Sequence, residues 1–285
     1  MIRLFILLAL FALPATPFAA GAEPCAACAE WNAPQMPFRV FGNTYYVGPH
    51  GLAAILITSD TGHILIDGAL PQSAALIADN IAALGFHLED VKIILNTHAH
   101  YDHAGGIAEL QQATGAVVRA SLPSIAEMIG GAPTPDDPQA TTADRFPPIP
   151  RALPIKDGDA VMLGANKLTA HFTPGHTPGG TTWTWDACEG AVCRHMVYAD
   201  SLTAISSPGF KFSADESRVA GFRRSIATVA SLPCDILLTP HPDASGLWPR
   251  VAAKSFVDVN ACRRYAEAAS SGLDTRLASE RTAGK

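Results

Sequence analysis

The sequence predicts an α/β protein in which two β-sheets pack together, with helices on the outer face of each. Three observations carry that prediction. Short apolar stretches of strand length alternate with segments of helical periodicity, the order strand-then-helix runs through the chain twice, and no shift in composition separates the two halves. The chain has 285 residues, 48% of them apolar, which is enough to bury a sizeable core. Its net charge is −6, from 20 Lys+Arg against 26 Asp+Glu, and it contains no basic run. Nucleic acid is therefore not an expected partner, because phosphate binding needs clustered cations.

The first stretch stands apart from the fold. Arg3 precedes an apolar run, residues 4–13, then come Pro14, Pro17 and the small residues Ala20-Gly21-Ala22. This order describes a secretory signal, residues 1–22, cleaved before Glu23. The two prolines leave the run too short to cross ~30 Å of hydrocarbon, so no stable membrane anchor is expected. Residues 23–285 are expected to form a single domain, periplasmic or secreted, in which cysteines can oxidise.

Along that domain, residues 38–41 and 44–47 read as a hairpin turning at Gly42-Asn43, and 53–58 with 63–67 as a second. Leu76, Ile77, Ile81 and Leu84 fall at helical spacing over 72–84, and Gly85 ends the helix. Residues 91–96 form a short apolar strand of the kind buried on both faces. A helix over 107–114 and a strand over 116–119 follow. Seven prolines between Gly130 and Pro154 argue against regular structure there, and a loop of that length is functional or mobile. The second half gives strands over 160–163, 167–171, 181–185, 195–199 and 236–238, with helices over 218–232 and 251–269.

Six cysteines admit fifteen full pairings. Cys188 and Cys193 flank a turn between two strands and are natural partners; Cys234 and Cys262 would then tie a late strand to the C-terminal helix. Cys25-Ala-Ala-Cys28 lies in a proline-containing tail without the strand-to-helix context of a redox motif, so a local disulfide or two loose thiols is the reading.

The chemistry is concentrated at one point. Thr97-His98-Ala99-His100-Tyr101-Asp102-His103 places three His and one Asp directly after the buried strand 91–96. His98 and His100, two apart in an extended segment, point to one side, while Asp102 and His103 turn to another face as the chain enters Ala104-Gly105-Gly106. Four potential ligands crowded at the end of an apolar strand are not a packing feature, because unpaired polar groups are costly to bury. His176, in Pro174-Gly175-His176-Thr177-Pro178, and His241, in Thr239-Pro240-His241-Pro242, sit in stiff loops after later strands. A serine mechanism of the Ser-x-x-Lys type is absent, since no Lys has Ser three positions earlier.

The pattern His98-x-His100-x-Asp102-His103 with later His176 and His241 resembles the metallo-β-lactamase superfamily. Leu65-Ile66-Asp67-Gly68, Gly175-His176-Thr177-Pro178-Gly179, Tyr198-Ala199-Asp200-Ser201-Leu202 and Leu238-Thr239-Pro240-His241-Pro242 narrow the resemblance to class B β-lactamases of the third subclass. It covers essentially all of the chain after about Trp31. The resemblance implies an αββα sandwich of two mixed sheets and two Zn2+ per chain, one held by His98, His100 and His176, the other by Asp102, His103 and His241. It implies hydrolysis of the β-lactam amide of penicillins, cephalosporins and carbapenems, and hence antibiotic resistance. The nucleophile would be a zinc-activated water, oriented by Asp102, with no covalent enzyme intermediate. The partner is then a small β-lactam, and a monomer is expected. Ser201 and Thr203 are candidate substrate-binding hydroxyls; Asp67 is expected to brace the histidine loop, and Asp200 to stand behind the ligands. Thiolesterases and phosphodiesterases of the superfamily bridge both metals with an Asp in the neighbourhood of Asp200, so another hydrolase of this scaffold (a lactonase, thiolesterase or phosphodiesterase) is the second reading. A non-catalytic exported zinc-binding scaffold is the third, and the presence of all six ligands argues against it.

Overall fold

A computed structural model describes residues 25–283; the signal segment expected at the N-terminus lies outside the described residues. The chain begins with a single helical turn, α1 (Cys28–Trp31), and then the hairpin β1 (Phe38–Phe41) and β2 (Thr44–Tyr46). Next come β3 (Ile55–Ile57), β4 (His63–Ile66), α2 (Ala74–Ala83), β5 (Val91–Leu95), the short α3 (Tyr101–Ala104), α4 (Ile107–Thr114), β6 (Val117–Ala120) and α5 (Leu122–Gly130). After a long loop follow β7 (Ala152–Pro154), β8 (Ala160–Leu163), β9 (Asn166–Phe172), β10 (Thr181–Glu189), β11 (Val192–Tyr198), α6 (Glu216–Ser231), β12 (Ile236–Leu238), α7 (Leu247–Ala252) and α8 (Ala261–Ala283).

Strands β1 to β7 form one sheet in sequence order, antiparallel through β4 and parallel from β4 to β7. Strands β12, β11, β10, β9 and β8 form the other, with β11 and β12 parallel. Both sheets are therefore mixed, as the resemblance implied. Side chains alternate across each strand, and that alternation makes the layers. Ile55, Ile57, Ile64 and Ile66 face the second sheet's Leu168, Trp183, Met196, Tyr198, Ile236 and Leu238 in one buried cluster. Their neighbours Leu56 and Leu65 face outward instead, onto Ile77, Ile81, Ile107 and Leu110 of α2 and α4. On the opposite side Val197 and Leu237 pack on Phe222, Ile226 and Val229 of α6 and on Leu273 and Leu277 of α8. Three apolar interfaces thus define four layers, helix, sheet, sheet, helix.

Two expectations need correction. The helix read over 251–269 is two helices, because Lys254 takes a left-handed φ of 51° and the chain runs through a non-helical segment before Asp258 O accepts the amide of Ala261. The proline-rich stretch also holds a strand, β7, whose Pro154 is tolerated because β7 is the edge of its sheet. Helix α5 was not foreseen; Ser121 caps it, accepting the Ser124 amide, and Gly131 ends it in the left-handed region. Cys188–Cys193 and Cys234–Cys262 are paired as expected, and Cys25–Cys28 is also a disulfide. No helix among the described residues is long and apolar enough to cross a membrane.

Candidate metal centre

Strand β5, buried in the first sheet, delivers the chain to Asn96 and Thr97, and from there the geometry is fixed by one carboxylate. Asp67, fully buried after β4 with a left-handed φ of 63°, accepts from the Thr97 amide (2.8 Å) and the Asn96 side-chain amide (3.0 Å) through Oδ1. Its Oδ2 accepts from the Thr97 hydroxyl (2.8 Å) and from the Tyr198 hydroxyl across the sandwich (3.1 Å). Burial pushes the Asp67 carboxyl up to about 7, opposed by those hydrogen bonds, the backbone one from Thr97 foremost. The Trp183 indole donates to Asn96 O (3.1 Å), and Thr181 N to Thr97 O (2.8 Å), so both sheets grip the segment immediately before His98.

Two ligand groups result. Ring nitrogens of His98, His100 and His176 lie within 4.8 Å of one another, as do the ligand atoms of Asp102, His103 and His241. His98 is common ground between them, its ring centroid 4.9 Å from those of His100 and His176 and 4.4 Å from that of His103. His100 stands in extended backbone before α3, which turns Asp102 and His103 to the second group. His176 comes from the β9–β10 loop, and His241 follows β12. The structure thus brings together all six residues singled out in the sequence.

The electrostatics suit a cation. Burial, then the neighbouring His103 and other imidazoles, hold His98 well below its usual range; burial, then His100, takes His176 down to about 3. Both rings are therefore neutral and offer lone pairs. Burial opposes ionisation of Asp102, but His103 and His241, whose Nε2 atoms lie 3.1 and 3.2 Å from its Oδ2, keep the carboxyl well below the usual range. His98 Nε2 and His103 Nδ1 are buried without a hydrogen-bond partner among the described residues. The orphaned Nε2 of His98, in a cluster of imidazoles and one carboxylate, fits a metal such as zinc, which takes N and O ligands.

Behind the imidazoles stand hydrogen-bond partners. Asp200 Oδ1 lies 2.7 Å from His98 Nδ1, and its Oδ2 lies so close to Gly180 that a Cβ there would collide with it. Asp200 is therefore lodged between His98 and the backbone just before β10. His100 Nε2 lies 3.1 Å from Asp137 Oδ2. Thr203 offers both its carbonyl and its hydroxyl oxygen at 3.0 Å from His176 Nδ1. The Tyr265 hydroxyl donates to Asp200 O (2.9 Å) and accepts from Leu202 N (3.2 Å). Ser201 is buried at the cleft wall, while Thr203 is exposed.

A cleft of about 470 Å³ opens over both groups, lined among others by Trp31, Tyr101, Gln139, Ser201, Thr203 and Tyr265. Trp31 contacts His241 with ring centroids 5.4 Å apart, and Tyr101 lines the cleft, whereas Phe38 stacks on Tyr46 and Phe256 in the core. His50, His63, His171 and His195 lie elsewhere, on Trp248, Phe86, Thr184 and Asp186 respectively. Sequence reasoning missed Asp137, Gln139 and Tyr265. The first two sit in the proline-rich loop and the third on α8, and none carries a spacing signal.

The superfamily profile described as "Metallo-beta-lactamase superfamily" matches residues 47–241. The chain belongs to the metallo-beta-lactamase superfamily. Among solved structures it is similar to MEM-A1, a subclass B3 metallo-beta-lactamase isolated from a soil metagenome library, at 49% identity over 90% of this chain and 100% of that one, with a TM-score of 0.87. Similarity to the Rm3 metallo-beta-lactamase is 51% identity over 91% and 100%, with a TM-score of 0.89. A curated relative, the hydroxyacylglutathione hydrolase of Maricaulis maris (strain MCS10), is 32% identical over 143 residues, which are 49% of this chain and 43% of that protein. The chain spans about half the length of the curated relatives it matches.

Proposed function

We propose that the chain is an exported di-zinc β-lactamase that hydrolyses the amide bond of penicillins, cephalosporins and carbapenems and so confers antibiotic resistance. The observation that carries this reading is the pair of ligand groups side by side, His98–His100–His176 and Asp102–His103–His241, at the floor of one cleft. Similarity to subclass B3 metallo-beta-lactamases over almost the whole chain supports the substrate class.

Zinc held by His98, His100 and His176 and by Asp102, His103 and His241 would supply Lewis acidity, bringing the pKa of water to about 7. The chain's own residues do the positioning. Asp102, held ionised, accepts a hydrogen bond from the attacking water and orients it towards the lactam carbonyl. Ser201 and Thr203 at the cleft wall donate to the substrate carboxylate, directly or through water. Trp31 and Tyr101 shield the apolar side of the substrate from solvent. No side chain is acylated. Residues 1–22 act as a signal, residues 23–285 form one domain, and the mature enzyme works as a monomer in the periplasm or outside the cell.

A chelator-reversible assay tests the reading. Hydrolysis of a penicillin, a cephalosporin and a carbapenem is expected, abolished by chelator and restored by zinc. A folded, zinc-loaded sample inert towards all three overturns it. The second reading, thioester hydrolysis, draws on the curated relatives; the hydrogen bond between Asp200 and His98 Nδ1 supports the first reading over it. Turnover of thioesters without turnover of β-lactams would favour it.

A further inference from the structure

The proline-rich loop, residues 131–151, carries one acid that the proposed reaction leaves unused. Asp137 is 1% exposed, and its Oδ2 lies 3.1 Å from His100 Nε2. Buried carboxylates are costly unless they are partnered, and Asp137 is held on every side. Its Oδ1 accepts the Gln139 amide at 2.6 Å, and its own amide donates to Thr134 O at 3.0 Å. Thr134 is anchored in turn, donating through its amide and its hydroxyl to the buried Glu127 Oε1 of α5, both at 3.2 Å. The loop is also pinned on its far side, where Pro138 O accepts Ser207 N and Asp136 pairs with Arg218 of α6. A segment of irregular backbone is thus mounted between two helices and delivers one carboxylate to the back of one imidazole.

We propose that Asp137 is the positioning residue of the His98–His100–His176 site. By accepting from His100 Nε2–H it fixes the tautomer whose free lone pair is on Nδ1, and it holds the ring at the angle that presents that lone pair to the cation. His98, with Asp200 on its Nδ1, is held the other way round, so it presents Nε2. The two neighbouring imidazoles ligate through different nitrogens because different loops supply the carboxylates behind them. This rests on the reading of the triad as a metal site. It gives the proline-rich loop a role in metal affinity that is separate from shaping the cleft.

The test is competitive zinc titration of the purified protein against a chelating dye, with Co2+ substitution as a second readout of ligand geometry. Asp137→Ala is expected to weaken one bound cation by roughly 10–100-fold while leaving the other unchanged, and to change the Co2+ absorption, as loss of a carboxylate behind a ligating His does. Asp137→Asn keeps an acceptor for His100 and is expected to fall between the variant and the wild type. Because it is isosteric, it also serves where the Ala variant fails to fold. Asp136→Asn, which loosens the same loop at Arg218 without touching His100, is expected to bind as the wild type does. An Asp137→Ala protein with wild-type affinity and Co2+ spectrum overturns the inference, as does an Asp136→Asn protein weakened by the same factor, which would make the role one of loop stability. A wild-type protein that takes up no metal overturns the reading of the site, and the inference with it.

Discussion

Asp200 Oδ1 lies 2.7 Å from His98 Nδ1, with both side chains fully buried. Asp200 is itself fixed, by its amide to Thr182 Oγ1 (3.1 Å) and by its carbonyl accepting from Tyr265 (2.9 Å). A carboxylate behind a ligating imidazole sets its tautomer and its orientation. Asp200→Ala is therefore expected to weaken metal binding by roughly 10–100-fold and to lower kcat/KM in parallel at limiting zinc. Zinc-competition titration alongside kinetics checks this; unchanged affinity would remove Asp200 from the metal centre.

Asp102 is the single carboxylate in the two ligand groups. Asp102→Ala leaves His103 and His241 as a two-imidazole remnant and would remove the acceptor proposed to orient water. At saturating zinc, kcat/KM is expected to drop by more than the roughly 100-fold upper range for a partner lost behind a ligand. Metal content near one ion per chain should accompany the drop. A near-normal rate would contradict the assignment.

Glu280 of α8 does not line the cleft, and it tests the pH dependence of the fold's stability. Burial opposes its ionisation, yet the Arg276 guanidinium (2.6 Å) and the amides of Ser213 (2.8 Å) and Phe212 (3.1 Å) take the carboxyl down to about 2, from an ordinary 4.5. A carboxyl depressed on folding adds stability above its unfolded pKa and gives it up as pH falls through its folded one. The melting-temperature advantage of the wild type over Glu280→Gln should thus be full at neutral pH, shrink below about 4.5 and vanish near 2. A difference that does not change with pH would show that Glu280 stabilises by packing.

The Cys234–Cys262 disulfide closes a separation of 28 residues between the approach to β12 and α8, against 5 for Cys188–Cys193. Loop-closure entropy assigns about 3–4 kcal/mol to the first and about 2 kcal/mol to the second. Replacing Cys234 and Cys262 by Ala should lower Tm by roughly 6–16 °C, at roughly 2–4 °C per kcal/mol for a chain of this size. The Cys188/Cys193 double variant should cost less. Calorimetry on both variants checks the order, and the reverse order would mean that strain in the folded state outweighs chain entropy.

The six clustered His and Asp positions, the strands that precede them and the two-sheet architecture were legible in the sequence because each depends on local chemistry. His98 and His100 fall two apart beside the apolar β5, and His176 and His241 sit in Gly- and Pro-stiffened loops. A period of two along each strand also separates the core between the sheets from the cores under the helices. The break between α7 and α8 was not legible, since nothing in Lys254 announces a left-handed φ. Asp200 and Thr203 were singled out in the sequence and Asp137 was not, but which imidazole each of them backs was illegible for a different reason. Asp200 is 102 residues from His98, Asp137 is 37 from His100, and Thr203 is 27 from His176. Periodicity and motif spacing describe neighbours along the chain, and these contacts exist only once four layers have packed. Local sequence names the side chains able to ligate, whereas packing selects the nitrogen that His98, His100 and His176 leave free, because the hydrogen bonds that make the choice come from residues distant along the chain.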